Sequence, residues 1–115
     1  MHELGIARNI LEIVQQTVPD HQFPSVKWIR IRIGQLSGIV PDSLEFCFSA
    51  LLSETGMQQA GLKMETVPTV SLCKDCRHQF TVEDFAFSCP SCSSANLEML
   101  SGRELEIVDI ELADE

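Results

Sequence analysis

The chain has 115 residues, a length that predicts one domain or one domain with a small insert. Its 44% hydrophobic and 22% charged residues are ordinary values for a globular protein and argue against disorder. Asp and Glu number 17 against 8 Lys and Arg, so the net charge is -9. A chain this acidic is repelled by phosphate backbones, which disfavours binding to nucleic acid or to an anionic membrane. Metal ions and cationic partners are the more natural ligands.

The N-terminal sequence and the cysteine usage indicate a compartment. Met-His-Glu lacks the basic segment and the apolar run of a secretory signal, and no apolar run approaches the roughly 18 residues needed to span a bilayer. Four of the five cysteines form two Cys-x-x-Cys pairs. In a chain without a signal, this usage indicates a reducing compartment and a metal site instead of a disulfide framework. We therefore expect a cytoplasmic protein.

The first predicted element is an amphipathic helix from Glu3 to Thr17, which begins almost at the first residue of the chain. It should end near Thr17, because Pro19 disfavours helical geometry in the residue before it. Apolar residues recur at helical spacing and give the helix a wide face that we expect to be buried. These residues are Leu4, Ile6, Ala7, Ile10, Leu11, Ile13 and Val14.

Two strands are predicted in the first part of the chain. Residues 26–33 place three isoleucines at alternate positions on one face, with Arg30 and Arg32 on the other. Residues 61–67 form the second strand, in which apolar residues alternate with charged ones.

A second helix is predicted between these strands. Pro41 suits the first position of a helix, and the Asp42 carboxylate in the first turn suits the helix dipole. The helix should run to about Glu54, with Gly56 as its C-terminal cap. Its apolar side comprises Leu44, Cys47, Phe48 and Leu51.

The composition changes at Pro68, where a segment with four cysteines and little periodicity begins. Its two Cys-x-x-Cys pairs are separated by twelve residues, so four thiolates can converge tetrahedrally around zinc at about 2.3 Å. Such a short segment has almost no core, and metal binding worth roughly 10–16 kcal/mol supplies the missing folding energy. Because four protein ligands leave no position for water, the predicted zinc site is structural. The ligands are Cys73, Cys76, Cys89 and Cys92.

The fold class follows from what comes after this segment. Residues 104–112 return to a strand pattern, and only the first part of the chain supplies a sheet for this strand to join. We therefore predict an α+β fold: a small mixed three-stranded sheet with two helices, plus an inserted zinc-ribbon-like domain with four cysteine ligands. The predicted boundaries are 1–68 for the first domain, completed by the strand at 103–115, and 69–102 for the insert.

Other interpretations of the cysteines have less support. A redox dithiol normally lies at a helix N-terminus beside a strand, whereas Cys89 and Cys92 lie in a serine-rich loop. A rubredoxin-like iron site has the same ligand set, and the sequence alone leaves it open. Zinc ribbons often bind nucleic acid, yet Lys74 and Arg77 are the only fixed positive charges of the segment, beside several carboxylates.

The other histidines and the fifth cysteine have simpler interpretations. His78 is predicted to be a surface or loop residue, because four thiolates already saturate zinc. Cys47 is predicted to be a small buried residue of the second helix. His21 is predicted to be a surface residue in a loop.

The segment Met1-His2-Glu3 is a second place with metal-binding chemistry. The α-amine, the His2 backbone nitrogen and the His2 imidazole can close two chelate rings around one ion. Glu3 can add its backbone nitrogen or its carboxylate. Nitrogen donors in a plane suit Ni(II) or Cu(II). Metal binding should weaken as the amine, with an ordinary pKa of about 7.7–8.0, and the imidazole, with an ordinary pKa of about 6.5, take up protons. Considered alone, these are more simply solvated N-terminal residues.

Several segments together resemble the HypA/HybF family of hydrogenase maturation factors, which are nickel metallochaperones. They span the whole chain and comprise residues 1–4, 31–37, 41–48, both cysteine pairs and residues 105–111. The cysteine pairs alone fit many families. Their combination with Met-His-Glu at the first residue and with the turn sequence Ile-Gly-Gln-Leu-Ser is specific.

The resemblance implies more than the spacing does. Members of the family bind Ni(II) through the N-terminal Met-His-Glu, hold zinc in a separate small domain and work with a partner GTPase. Together they insert nickel into the large subunit of nickel–iron hydrogenase. Carried over to this chain, His2 is the principal side-chain ligand of nickel, Met1 contributes its amine, and Glu3 tunes or joins the site. Some members have a histidine directly beside a knuckle cysteine, whereas Arg77 and Ser93 follow the knuckles here, so we expect no metal sensing by such a residue.

We therefore predict a cytoplasmic nickel metallochaperone. Catalysis is not expected, because the sequence offers no nucleophile–base pair, phosphate loop or paired carboxylates. The predicted partners are the maturation GTPase and the precursor of the hydrogenase large subunit, with no nucleic acid and no membrane. The alternatives are a zinc-ribbon adaptor that binds proteins but no nickel, and a thiol redox protein.

Overall fold

The computed structural model describes residues 3–114, so Met1, His2 and Glu115 lie outside the described residues. The main elements are helix α1 (Glu3–Thr17), strand β1 (Val26–Gly34), helix α2 (Pro41–Leu51) and strands β2 (Gly61–Val67), β3 (Val70–Cys73), β4 (Gln79–Thr81), β5 (Leu97–Ser101) and β6 (Leu105–Leu112). Short 3₁₀ helices occupy Asp20–Ser25 and Leu52–Glu54. The strands form two three-stranded sheets, with the orders β2-β1-β6 and β4-β3-β5. The predicted α+β class is confirmed.

The chain divides into two compact units. The first, the helical unit, comprises Met1–Arg32, Gly38–Glu65 and Glu106–Glu115. The second, the cysteine unit, comprises Ile33–Ser37 and Thr66–Leu105. The domain boundaries predicted from the sequence stay a prediction. Between residues 3 and 114, no helix has both the length and the apolar composition that crossing a membrane requires.

Helix α1 packs against helix α2 in the helical unit. Its buried residues are Ile6, Ala7, Ile10, Leu11 and Val14. Leu4 and Ile13, which were also predicted for the buried face, are exposed. They lie at the two edges of the apolar stripe, where the surface of a helix turns towards solvent.

Helix α2 begins at Pro41 as predicted, but its end differs. The α-helical part stops at Leu51, three residues before the predicted end, and the chain tightens into the 3₁₀ helix Leu52–Glu54. Gly56 then adopts a φ of 78°, in the left-handed region that favours glycine after a helix.

Strand β1 shows the predicted alternation, with its isoleucines buried and its arginines on the other face. Arg32 Nη1 lies 2.7 Å from the Glu106 carboxylate of β6, and Arg30 Nε lies 3.6 Å from that of Asp109. Strand β6 lies at the edge of the sheet, and Val108 on its apolar side is exposed. The strand is therefore present as predicted, but its apolar side is only partly covered.

The cysteine unit contains a sheet that the sequence pattern did not indicate. Strand β3 pairs antiparallel with β4 on one side and with β5 on the other. These strands have four, three and five residues, too few for an alternating pattern to stand out.

The turn after β1 is hydrogen-bonded to the rest of the cysteine unit. The Gly34 amide donates to the Glu104 carbonyl at 2.7 Å, and the Leu36 amide donates to the Gly102 carbonyl at 2.6 Å. A Cβ atom on Gly34 would collide with the Gly102 backbone. This close approach explains why residue 34 must be glycine.

Candidate metal centre

The four cysteines of the two Cys-x-x-Cys pairs converge on one point. Their Sγ atoms all lie within 4.8 Å of one another. Those of Cys73 and Cys92 are 3.6 Å apart, and those of Cys76 and Cys89 are 3.5 Å apart. Sulfurs at about 2.3 Å from a tetrahedral zinc ion are about 3.8 Å apart. The cluster therefore has the dimensions of a four-thiolate metal site.

The first pair forms a tight knuckle after strand β3. The Arg77 amide donates to the Cys73 carbonyl at 2.8 Å, and the Cys73 amide donates to the His78 carbonyl at 2.9 Å. The Cys76 amide points at the Cys73 sulfur at 3.4 Å. Arg77 has a φ of 69°, a left-handed conformation that turns the chain back on itself.

The second pair repeats this geometry. The Ser93 amide donates to the Cys89 carbonyl at 2.8 Å, and the Cys89 amide donates to the Ser94 carbonyl at 2.8 Å. The Ser91 amide lies 3.4 Å from the Cys89 sulfur, and Ser93 has a φ of 66°. In each knuckle the first cysteine is buried and the second is exposed. The two knuckles are therefore equivalent halves of one site.

A carboxylate joins the two knuckles. Ser94 Oγ donates to Asp75 Oδ2 at 2.5 Å, and Asn96 Nδ2 donates to Asp75 Oδ1 at 3.1 Å. These two donors, Ser94 first, lower the pKa of Asp75 below its usual value. Sequence reasoning did not find this contact, and its only signal was a carboxylate inside the first knuckle with hydroxyl and amide side chains after the second.

The four thiols lie so close together that each one changes the pKa of its neighbours. The Cys76 backbone amide, above all, lowers the pKa of the Cys73 thiol to about 7. The Ser94 amide favours the thiolate of Cys92, but the neighbouring sulfurs and desolvation outweigh it and raise the pKa of Cys92 to about 12. Four thiolates this close repel one another, so full ionisation requires a compensating cation. The donor set, soft and anionic with no open position, fits a closed site for zinc or another thiophilic metal.

Of the residues predicted for the nickel site, only Glu3 lies within the described residues, and it is the first residue of α1. Glu3 Oε2 accepts a hydrogen bond from the Val40 amide at 3.1 Å. Val40 is the N-cap of α2, so the Glu3 carboxylate connects the start of one helix to the start of the other.

The side chains of the remaining candidate residues are not part of the cysteine cluster. His78 is exposed, and its ring stacks on that of Phe80 at 5.9 Å. His21 is exposed as predicted, but it lies in the 3₁₀ helix Asp20–Ser25 instead of a loop. Cys47 is half-buried, so the prediction of a fully buried Cys47 is wrong. It lies beside, and not on, the buried line of Leu44 and Phe48.

Comparison with known proteins identifies the family. Residues 1–112 match the family described as hydrogenase/urease nickel incorporation, metallochaperone, hypA. The chain is 43% identical over 115 residues to the hydrogenase maturation factor HypA of Desulfatibacillum aliphaticivorans, covering 99% of this chain and 88% of that protein. It is 44% identical over 115 residues to the HypA of Desulfosudis oleivorans, covering 99% of this chain and 100% of that protein.

Solved structures agree on the fold. The solution structure of the Ni metallochaperone HypA from Helicobacter pylori has a TM-score of 0.66 at 21% identity, covering 100% of both chains. Another solution structure, titled HypA protein, has a TM-score of 0.72 at 21% identity, covering 100% of this chain and 98% of that one. At this identity the likeness concerns the fold alone. Taken with the match over residues 1–112, it leads to one conclusion: the chain belongs to the HypA family of nickel metallochaperones for hydrogenase maturation.

Proposed function

We propose that this chain carries Ni(II) at its N-terminus and holds a structural Zn(II) in the cysteine unit. The proposed nickel ligands are Met1, His2 and Glu3, and the proposed zinc ligands are Cys73, Cys76, Cys89 and Cys92. The observation that carries the nickel assignment is the family match, which begins at residue 1 and therefore includes Met-His-Glu. The converging sulfurs support the zinc assignment.

At the nickel site, the α-amine and the imidazole of His2 bind once they have lost their protons. The Glu3 carboxylate is engaged by the Val40 amide. We therefore assign to Glu3 a backbone nitrogen donor, while its side chain connects the start of α1 to the start of α2. Planar nitrogen donors favour Ni(II) over hard cations such as Mg(II).

At the proposed zinc site, a bound ion would supply folding energy to a unit with little apolar core. The two equivalent knuckles hold the four sulfurs, and Asp75 bridges the knuckles. No ligand position is left for water, so this site has no role in catalysis.

The proposed setting is cytoplasmic hydrogenase maturation. The partners are a maturation GTPase and the precursor of the hydrogenase large subunit. Nickel moves to the precursor when the precursor offers better ligands, which is a difference of two affinities and requires no catalytic turnover.

Nickel titration of the zinc-loaded protein tests this function. We expect His2→Ala to abolish tight uptake. His21→Ala is the matched control, since it removes an exposed histidine of the helical unit and should bind nickel like the wild type. Equal nickel binding by wild type and His2→Ala would instead favour the adaptor that binds proteins but no nickel.

A further inference from the structure

A tight turn in the cysteine unit exposes an aromatic side chain. The Ala86 amide donates to the Glu83 carbonyl at 2.9 Å, so residues 83–86 form a β-turn with Asp84 and Phe85 at its centre. Asp84 has a φ of 52° and Phe85 a φ of 57°. Positive φ at both central positions defines a type I′ turn.

This turn has unusual residues for its type. Type I′ turns favour Asn-Gly, because glycine adopts a left-handed conformation without a steric cost and phenylalanine does not. The Phe85 side chain is 75% exposed, so burial does not compensate for its strained backbone. Strained residues of this kind concentrate at functional sites, which makes Phe85 a candidate for a binding role.

A second aromatic ring and a hollow lie beside Phe85. The Phe87 ring is 6.4 Å from that of Phe85, and Phe87 is 43% exposed. The hollow has a volume of about 180 Å³ and is lined by Gln35, Leu36, Thr69, Val82, Asp84 and Phe85. Thr69 is 1% exposed, and its Oγ1 has no hydrogen-bond partner in the described part of the chain. This hydroxyl has almost no accessible surface, so it is closed to a group that enters the hollow. Asp84 is the one charged residue among those that line the hollow.

The charge around the turn points to a cationic partner. Glu83 and Asp84 directly precede Phe85, and the sequence has no lysine or arginine between Arg77 and Arg103. A guanidinium or ammonium group would complement the carboxylates of Glu83 and Asp84. The occupant that fits is therefore a protein surface with an apolar depression and an adjacent basic side chain.

We propose that residues 83–87 dock onto the precursor of the hydrogenase large subunit. Phe85 and Phe87 would enter an apolar depression on the precursor, and a lysine or arginine of the precursor would pair with the Asp84 carboxylate. The choice of partner rests on the proposed function, in which this precursor receives the nickel. The choice of surface rests on the strained turn, the exposed rings and the acidic flank.

Purified precursor from the same organism is the probe, with binding to the full-length protein measured by calorimetry. Phe85→Ala should weaken binding about 30-fold, the loss typical of an interface hot spot. Phe46→Ala is the matched control, because Phe46 is 76% exposed on α2 and should bind like the wild type.

The double substitution Asp84→Asn with Phe85→Gly separates binding from stability. It installs the residues that the turn type prefers, so the melting temperature should rise by about 3 °C while binding is lost. A lower melting temperature than that of the wild type would overturn the argument from strain.

Three results of the binding measurements would contradict the proposal. Undiminished binding by Phe85→Ala, an equal loss in Phe46→Ala, or no binding by the wild type would each overturn the proposal. If Phe85→Ala lost binding only to the GTPase, or only to a second copy of this chain, the choice of the precursor as the partner would be overturned. Nickel uptake measured in the same samples separates the two proposals, because Phe85→Ala should take up nickel normally whether or not docking fails.

Discussion

The helical unit buries Phe48, Ile29, Ile31, Leu44 and Met57, each less than 2% exposed. In the described part of the cysteine unit, the buried side chains besides Cys73 and Cys89 are Ile33, Val67, Thr69, Ser71 and Val82. Burial of one large apolar side chain contributes roughly 1.5–3 kcal/mol to stability, so the five buried side chains of the helical unit are enough to form an apolar core. The set in the cysteine unit is smaller and partly polar. We infer that the helical unit folds through its apolar core, and we expect the cysteine unit to need a bound metal.

The largest expected effect is loss of one sulfur. Cys73→Ser should release zinc and unfold the cysteine unit, because binding energy of roughly 10–16 kcal/mol is lost. The helical unit should keep its slow hydrogen exchange. Cys47→Ser is the control, since this half-buried cysteine lies outside the cluster and its loss should leave zinc in place. A cysteine unit that stays folded without metal would show that its own side chains, and not the metal, stabilise it.

The next effect concerns the apolar core. Phe48→Ala should lower the free energy of unfolding by about 3–5 kcal/mol, because it leaves a cavity at a side chain that is fully buried. Phe46→Ala, on the exposed side of the same helix, should change it by less than about 0.5 kcal/mol. Chemical denaturation measures both. Zinc content should be unchanged in the two variants, and similar stability losses would mean that α2 packs differently.

Nickel and zinc should be released at different pH values when the protein is acidified. The proposed nickel site needs an unprotonated amine, with an ordinary pKa of about 7.7–8.0, and an unprotonated imidazole, with an ordinary pKa of about 6.5. Nickel should therefore leave as the pH falls from 8 to 6. The pKa values of Cys76 and Cys92 are raised without metal, that of Cys92 to about 12, so each takes up a proton when zinc leaves. The pKa of Cys73 is about 7, so this thiol takes up a third proton as the pH falls below 7. Apparent zinc affinity should therefore fall by more than about 100-fold per pH unit, starting from the tight binding that four thiolates give.

Metal analysis after gel filtration at each pH measures this difference. Nickel should be half released at a higher pH than zinc. Release of zinc before nickel would contradict the assignment of four thiolates to zinc.

A smaller effect is expected at Glu3. Glu3→Ala removes the acceptor of the Val40 amide and should cost roughly 1 kcal/mol of stability. Glu3→Gln keeps an acceptor at the same place, so its stability and nickel affinity should stay close to those of the wild type. Nickel titration and thermal unfolding of both variants check this. If Glu3→Gln lost nickel as completely as His2→Ala, the carboxylate itself would be a ligand.

The sequence carried the information for some of these features and not for others. The cysteine cluster could be predicted because metal chemistry restricts ligand type and spacing, and β1 because one face of a strand shows as strict alternation. The sheet around β3 could not be predicted, because its strands are too short to show an alternation of apolar and polar residues. Neither could the bond between Asp75 and Ser94, which depends on how the two knuckles meet in space. Strand β6 was predicted, but the exposure of Val108 depends on what covers the strand.

One measurement tests the nickel carrier most directly: nickel and zinc content per chain, compared between the untagged protein and a form extended by one glycine before Met1. The extension moves the terminal amine away from the His2 imidazole and leaves the cysteine unit untouched. The extended form should lose tight nickel binding while it keeps one zinc per chain. Equal nickel uptake by both forms would contradict the proposed nickel site.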